Sequence, residues 1–342
     1  MTDPNASYFD VTARRAFLKA HADAPAFQPL TTPFDKTCGH PPLPASIEEP
    51  VSVPYLYLSD GKINPEWSKR ARPFHELRKT AIAMAKSYAV TGHSEAARCL
   101  ADYLARLAAT QALTRVDFST QQGWYTAVWT AADIALAYSI VRGDPSIEAD
   151  ERQEIEQWLD DVVRRQIAVP GRPGIGGDCC QNHLYWRGLQ ATVAGIVAQD
   201  SYLFDWGIAA YRRALEDMNP DGSLPGEMGR GARALHYQSF AIWPLVMTAE
   251  LAARQGYDLY GMRIGDKSLH MAVDFLLRAL ADRSVLAPHT KETQNLAFAD
   301  YLPWAEIYQR RFPRPDLKRY IGHGGGDPSM FGGPLTLYFF QP

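Results

Sequence analysis

This 342-residue sequence predicts an all-α fold built from antiparallel helical hairpins. Three observations lead there. Apolar residues recur at spacings of three and four, the period of a helix rather than of a strand. Ser, Gly and Pro interrupt these stripes so as to leave helices of similar length joined by short loops. Strand-like alternation is sparse. No strict internal repeat is present, so solenoids of fixed period are not supported, and a bundle, a solenoid or a ring of hairpins all remain open. No linker divides the chain, and one domain over 1–342 is expected.

Residues 1–60 are proline-rich and read mostly as an extended segment, with a short helix near 10–22 and a Pro-Tyr-Leu-Tyr stretch holding Tyr55 and Tyr57. Residues 62–79 then set Lys62, Lys69, Arg70, Arg72, Arg78 and Lys79 against only Glu66 and Glu76, with Trp67, Phe74 and His75 interleaved. Such a patch is either a solvated helix face or a mobile wall gripping a polyanion. A helix over 66–90 stops at Gly92, and Ser94 can cap the next, whose stripe is Leu100, Leu104 and Leu107. Residues 122–142 form another helix, ended by Gly143. Ser146 precedes an acidic first turn of Glu148, Asp150 and Glu151, which suits a positive helix end, and that helix runs past Trp158 to about Ala168. Residues 171–178 are a glycine-rich loop. Helices near 181–199, 203–217, 229–255, 265–282 and 297–312 follow, and the tail Leu-Thr-Leu-Tyr-Phe-Phe reads as a packed strand or extended segment.

Net charge is −3, so no general basic field for nucleic acid exists and an anionic ligand needs a local patch. No apolar run approaches the roughly 18 residues of a membrane span. The N-terminal residues lack a signal sequence, which fits a cytosolic protein or a mature form after signal removal. Cys38, Cys99, Cys179 and Cys180 have no zinc-like spacing, and no metal or cofactor is expected. They are either four reduced thiols or disulfide candidates. Cys38–Cys99 with a vicinal Cys179–Cys180 bridge is one pairing an even count permits.

Three polar clusters interrupt the apolar pattern. On a helix, Glu227, Arg230, Arg233 and Tyr237 share one face. Asn182, His183 and Trp186 follow the glycine loop at a helix start, and Gln122, Tyr125 and Trp129 share a third face. Singly these fit a salt-bridged surface, a capped helix with a core histidine, and an amphipathic boundary. Together they supply amide, imidazole, phenol, guanidinium and indole, an inventory suited to sugars bearing carboxylates.

Gln-Asn-His-x-Tyr-Trp at 181–186 resembles the Asn-Asn-His-x-Tyr-Trp signature of alginate lyases of polysaccharide lyase family 5. Residues 221–237, Asp-Gly-Ser-Leu-Pro-Gly-Glu-Met-Gly-Arg-Gly-Ala-Arg-Ala-Leu-His-Tyr, are similar to that family's other signature, in the same order and separation. The likeness spans roughly 60–330, and Gln181 departs from it by replacing the first Asn. It implies an incomplete (α/α) toroid with a long cleft, a lid at about 50–72, and β-elimination on a uronate polymer. Carried over, Asn182 and Arg230 match the pair that neutralises the substrate carboxylate, and His183 and Tyr237 match the acid–base residues. Gln122, Tyr125, Trp129, Trp186 and Arg233 become substrate contacts, with Lys62, Tyr55 and Tyr57 on the lid. Family members are usually exported, so a periplasmic or secreted location with disulfides is implied.

The chemistry of these groups agrees. Elimination removes the C5 proton, expels the C4 oxygen and builds negative charge on the carboxyl group. Arg230 and Asn182 can donate to that charge as an oxyanion hole does. Arg230, Arg233 and His183 are expected to lower the phenol pKa of Tyr237 from its usual value of about 10. In mannuronate the proton and the leaving oxygen share a face, so one tyrosine can serve both. Polymannuronate is therefore the first expectation. A broader polyuronate activity that includes polyglucuronate and hyaluronan is the second, and non-catalytic polyuronate binding the third; in each case a monomer is expected. A hydrolase needs a second carboxylate beside Glu227, and none is evident. Asp160-Asp161 is followed by Arg164, which breaks the aspartate-rich pattern of a terpenoid enzyme.

Overall fold

The computed structural model describes the chain except residues 1–2, 32–40, 60, 170–180, 297–300, 323–329 and 331. The described residues contain helices and turns but no strand; only the isolated bridges Val51–Val116, Tyr57–Ile63 and Ile264–Lys267 occur. The glycine loop at 171–178 and Cys38, Cys179 and Cys180 lie outside the described residues. Cys99 is disulfide-bonded.

Helix α1 (Val11–Ala20) begins where the Asp10 carboxylate accepts from the Ala13 amide. α2 (Pro65–Thr91) is capped by Asn64 and ends at Gly92, whose φ of 73° closes the helix in the left-handed region. α3 (Ser94–Ala109) starts one residue before the expected helix, with His93 in the cap position; Ser94 turns instead to Asp144, 2.9 Å away. α4 (Gln121–Val141), α5 (Ala149–Ile167), α6 (Asn182–Val197) and α7 (Ser201–Asp217) fall within two or three residues of their predicted bounds. Ser146 does not cap α5, because its hydroxyl donates to Asp144 and Glu148 takes the cap position.

The helix expected over 229–255 is broken. A single turn, α8 (Pro225–Met228), is followed by a 3₁₀ turn at Gly231–Arg233, and only then by α9 (Ala234–Arg254). Gly231 makes the break with φ 57°, and a Cβ there would sit 2.4 Å from the Glu292 carboxylate. α10 (Leu269–Ala281) and α11 (Ala305–Arg311) are shorter than predicted. The tail is no strand: α12 (Leu335–Phe339) is a buried helical turn, held by Thr336 on Glu306 at 2.6 Å. A short apolar run buried on every side carries no period that separates strand from helix.

Neighbouring helices pair as α2–α3, α4–α5, α6–α7 and α9–α10, while α2, α4, α6 and α9 also pack side by side in an inner row. Of the inner helices α4, α6 and α9 are buried nearly all round, as two-sided packing requires, and α6 has only His183 outside the buried class, whereas α2 keeps an exposed basic face. The outer helices α3, α5 and α7 keep a polar face. One continuous apolar core runs from Tyr8 to Phe339. Helix starts at one end of the inner row, with the hairpin at 55–64 above them, enclose the site.

Candidate active site

Side chains from α2, α4, α6, α9 and the hairpin line a cavity of about 340 Å³, among them Tyr57, Gln122, Tyr125, Trp129, His183, Arg230 and Tyr237. Gln181, His75, Trp67, Arg78 and His236 join them. A larger groove of about 850 Å³ near Asp274 and Arg319 lies elsewhere. Its Arg314 is committed to Asp274 and Asp316, and no acid–base pair or aromatic wall converges there among the described residues. Chemistry favours the smaller cavity.

Although Arg230 and Tyr237 do not share a continuous helix, the break folds one onto the other: the guanidinium carbon lies 4.7 Å from the centre of the phenol ring. Arg230 also donates to Gln181 Oε1 at 3.1 Å and faces Glu227 Oε2 across 3.7 Å. Gln181, the one departure from the signature, is thus an arginine anchor. Burial pushes the Tyr237 phenol up to about 12, and Tyr57 adds to this, outweighing the opposite pull of Arg230 and Arg233. The lowered phenol expected from sequence is not found, because desolvation exceeds the arginine field.

His183 stacks on Tyr125 with ring centres 3.5 Å apart and planes 6° from parallel. Tyr125 is itself fixed by its hydroxyl on Gln121 at 2.8 Å. Burial, then the Arg230 charge, pushes the imidazole down to about 3, so the ring is neutral at pH 7. Trp129 tilts against the same pair. The buried Gln122 carbonyl oxygen has no hydrogen-bond partner among the described residues.

Asn182 does not line the cavity. It is 0% exposed, its backbone N–H donates to Glu227 Oε1 at 2.6 Å, and its Nδ2 donates to Oε2 at 2.9 Å. Glu227 therefore caps α6 from another segment, where Gln181 makes no cap bond of its own. Trp186, expected as a substrate contact, is 1% exposed and packs between Phe240 and Trp243, because its position on α6 points into the core.

The segment expected as a lid belongs to α2 from Pro65 on and before that contains a small hairpin, with Leu58 N–H on Lys62 O and Asn64 N–H on Leu56 O. Arg233 clamps it, lying 3.8 Å from the Tyr57 ring centre and donating to Gly61 O at 3.2 Å. Tyr57 faces the cavity, whereas Tyr55 and Lys62 are exposed and do not line it. Arg78, read from sequence only as part of a basic patch, is buried beneath the cavity in a 3.2 Å pair with Asp133. Nothing in the sequence pattern singles out Asp133, which sits in an apolar helix.

Residues 19–286 match the sequence profile of the family described as Alginate lyase. A polysaccharide lyase of Stenotrophomonas maltophilia is 33% identical over 261 residues, covering 74% of this chain and 75% of that protein. An alginate lyase of Pseudomonas syringae pv. syringae is 28% identical over 232 residues; the matched stretch is 65% of this chain and 60% of that protein, under two thirds of its length. Alginate lyase A1-III from Sphingomonas species A1 superposes with a TM-score of 0.90 at 32% identity, over 100% of this chain and 97% of that one. The chain belongs to the alginate lyase family and has its (α/α)-toroid fold.

Proposed function

We propose that this protein is a lyase that cleaves alginate at mannuronate by same-face β-elimination, leaving a 4,5-unsaturated uronate end. The observation that carries this reading is the Arg230 guanidinium held 4.7 Å from the Tyr237 ring, in one cavity with neutral His183. A planar arginine fork suits a planar carboxylate, and its charge meets the negative charge that grows on the carboxyl group as C5 loses its proton. Tyr237 as phenolate takes that proton. The C5–H electron pair becomes the C4=C5 bond, the C4–O bond breaks, and the tyrosine returns the proton to the departing oxygen. No water is added, and the phenolate is regenerated.

His183 answers the question of how a phenol with so high a pKa starts the cycle. A uronate carboxylate bound beside the imidazole favours its protonated form. His183 then serves as the acceptor for the tyrosine proton and as a second cation for the carboxylate. Asn182, buried against Glu227 and off the cavity wall, fixes the start of α6 that carries His183 instead of touching the carboxyl group. Gln122, Tyr125 and Trp129 form the sugar-binding wall, and Tyr57 with Arg233 the lid.

A second reading is a broader polyuronate lyase. Polyglucuronate offers the same-face geometry, because glucuronate differs from mannuronate only at C2, and the Stenotrophomonas relative carries the wider description polysaccharide lyase. We also propose that residues 1–342 work as one catalytic domain and a monomer, in an oxidising compartment such as the periplasm; the bonded Cys99 supports the location.

The test is ultraviolet absorbance of new conjugated double bonds on polymannuronate, polyguluronate, polyglucuronate and hyaluronan. Absorbance with polymannuronate foremost supports the reading. New reducing ends without absorbance mean hydrolysis and refute it.

A further inference from the structure

The break between Arg230 and Tyr237 is held by a segment from much later in the chain. α9 has no side-chain cap from Arg233, its own cap residue, so the first N–H groups of the helix need outside partners. Gln294 supplies one: its Oε1 accepts from Leu235 N–H at 3.0 Å, while its Nε2 donates to Gly231 O at 3.0 Å. Glu292 accepts from Ala232 N–H at 3.1 Å, and Asn295 N–H donates to Ala232 O at 2.7 Å. Backbone groups of the left-handed Gly231 and of Ala232 and Leu235 after it are thereby fixed across some sixty residues of sequence. None of Glu292, Gln294 and Asn295 lines the cavity, and all three lie past residue 286, where the match to the family profile ends.

We propose that Gln294 is a positioning residue for the elimination. By bridging Gly231 and Leu235 it sets the broken start of α9 so that Arg230 lies over Tyr237. The inference rests on Arg230 and Tyr237 being the reacting pair. A single amide does this because it both donates and accepts, binding the carbonyl of Gly231 at the break and the N–H of Leu235 after it. Misplacement of a catalytic group by about 1 Å costs up to ~10²-fold in rate, whereas ground-state binding by the untouched aromatic wall changes little. The effect of losing Gln294 therefore falls on kcat.

Gln294→Leu removes the bonds to Leu235 and Gly231, and with them a third to Glu292 O, at similar size, while Gln294→Glu keeps the acceptor for Leu235 and loses the donor to Gly231 and Glu292. With polymannuronate, Gln294→Leu is expected to lower kcat by about 10- to 100-fold with KM within about twofold, and Gln294→Glu to fall between it and the parent. An unchanged kcat, or a loss confined to KM, overturns the proposal. So does a fall in kcat that only follows the folded fraction measured by circular dichroism. If Gln294→Leu does not fold, the same criteria apply to Gln294→Glu. Tyr237→Phe, assayed alongside, separates the two levels: near-parental turnover there refutes the reacting pair itself, whereas an inactive Tyr237→Phe with a fully active Gln294→Leu refutes only the positioning role.

Discussion

Asn182 gives its backbone N–H and its side-chain amide to one buried carboxylate, that of Glu227, at 2.6 and 2.9 Å. Burial pushes this acid up to about 7, against the pull of Arg230 and the two Asn182 bonds. The folded state thus holds a proton between about pH 4.5 and 7 that the unfolded state releases, and stability falls as pH rises through that window. Glu227→Gln abolishes this dependence. Between pH 5 and pH 8, chemical denaturation is expected to move in favour of the variant by about 2.5 kcal/mol relative to the parent. A constant difference between the two pH values would reject the buried, titrating acid.

His183 provides a second test. Its ring is pushed down to about 3 by burial and by Arg230, so it stays neutral in the free protein well below the usual histidine range. Binding of an oligomannuronate brings a carboxylate to the imidazole and raises that pKa. Nitrogen-15 NMR of the ring, in Tyr237→Phe to prevent turnover, should show a neutral free state at pH 5.5 and an upward shift of its titration on binding. Titration near 6.5 in the free protein would remove the neutral-histidine step.

The proposed lid makes a kinetic prediction. Arg233 holds Tyr57 through its ring and Gly61 through a carbonyl, contacts of about 1 kcal/mol each at a partly exposed site. Arg233→Ala should raise KM for polymannuronate by roughly tenfold and leave kcat within a few-fold. A large fall in kcat with KM unchanged would move Arg233 from lid holder to reacting group.

Beneath the cavity, Arg78 and Asp133 form a pair in which each side chain is 3% exposed. Asp133→Asn leaves a buried guanidinium without its counter-charge, at a cost of about 3–5 kcal/mol. Urea denaturation measures it; a change under about 1 kcal/mol would show that Arg78 is stabilised by other groups.

Much of this molecule is legible in its sequence where the signal is periodic. α2, α4 and α6 are long and end at recognisable boundaries, such as Gly92 after α2. The two signatures bring Arg230, Tyr237 and His183 into one cavity, which Gln122, Tyr125 and Trp129 also line. What escaped depends on tertiary partners. Gly231 reads as a tolerable helix glycine until Glu292 and Gln294 are seen to hold it at positive φ. Asn182 and Trp186 lie in the signature yet face Glu227 and the core, since helix phase alone does not say which side an all-round apolar helix turns to the cleft. Asp133 gives no sign of pairing with a residue 55 positions earlier.

Tyr237→Phe decides the matter, because it deletes one oxygen from a ring that keeps its place under Arg230. Its turnover of polymannuronate should be followed by absorbance of unsaturated ends, with binding of an oligomannuronate followed by calorimetry. Loss of at least about a hundredfold in kcat, with binding retained, is the expected result. Turnover within a few-fold of the parent would contradict a tyrosine that moves the proton.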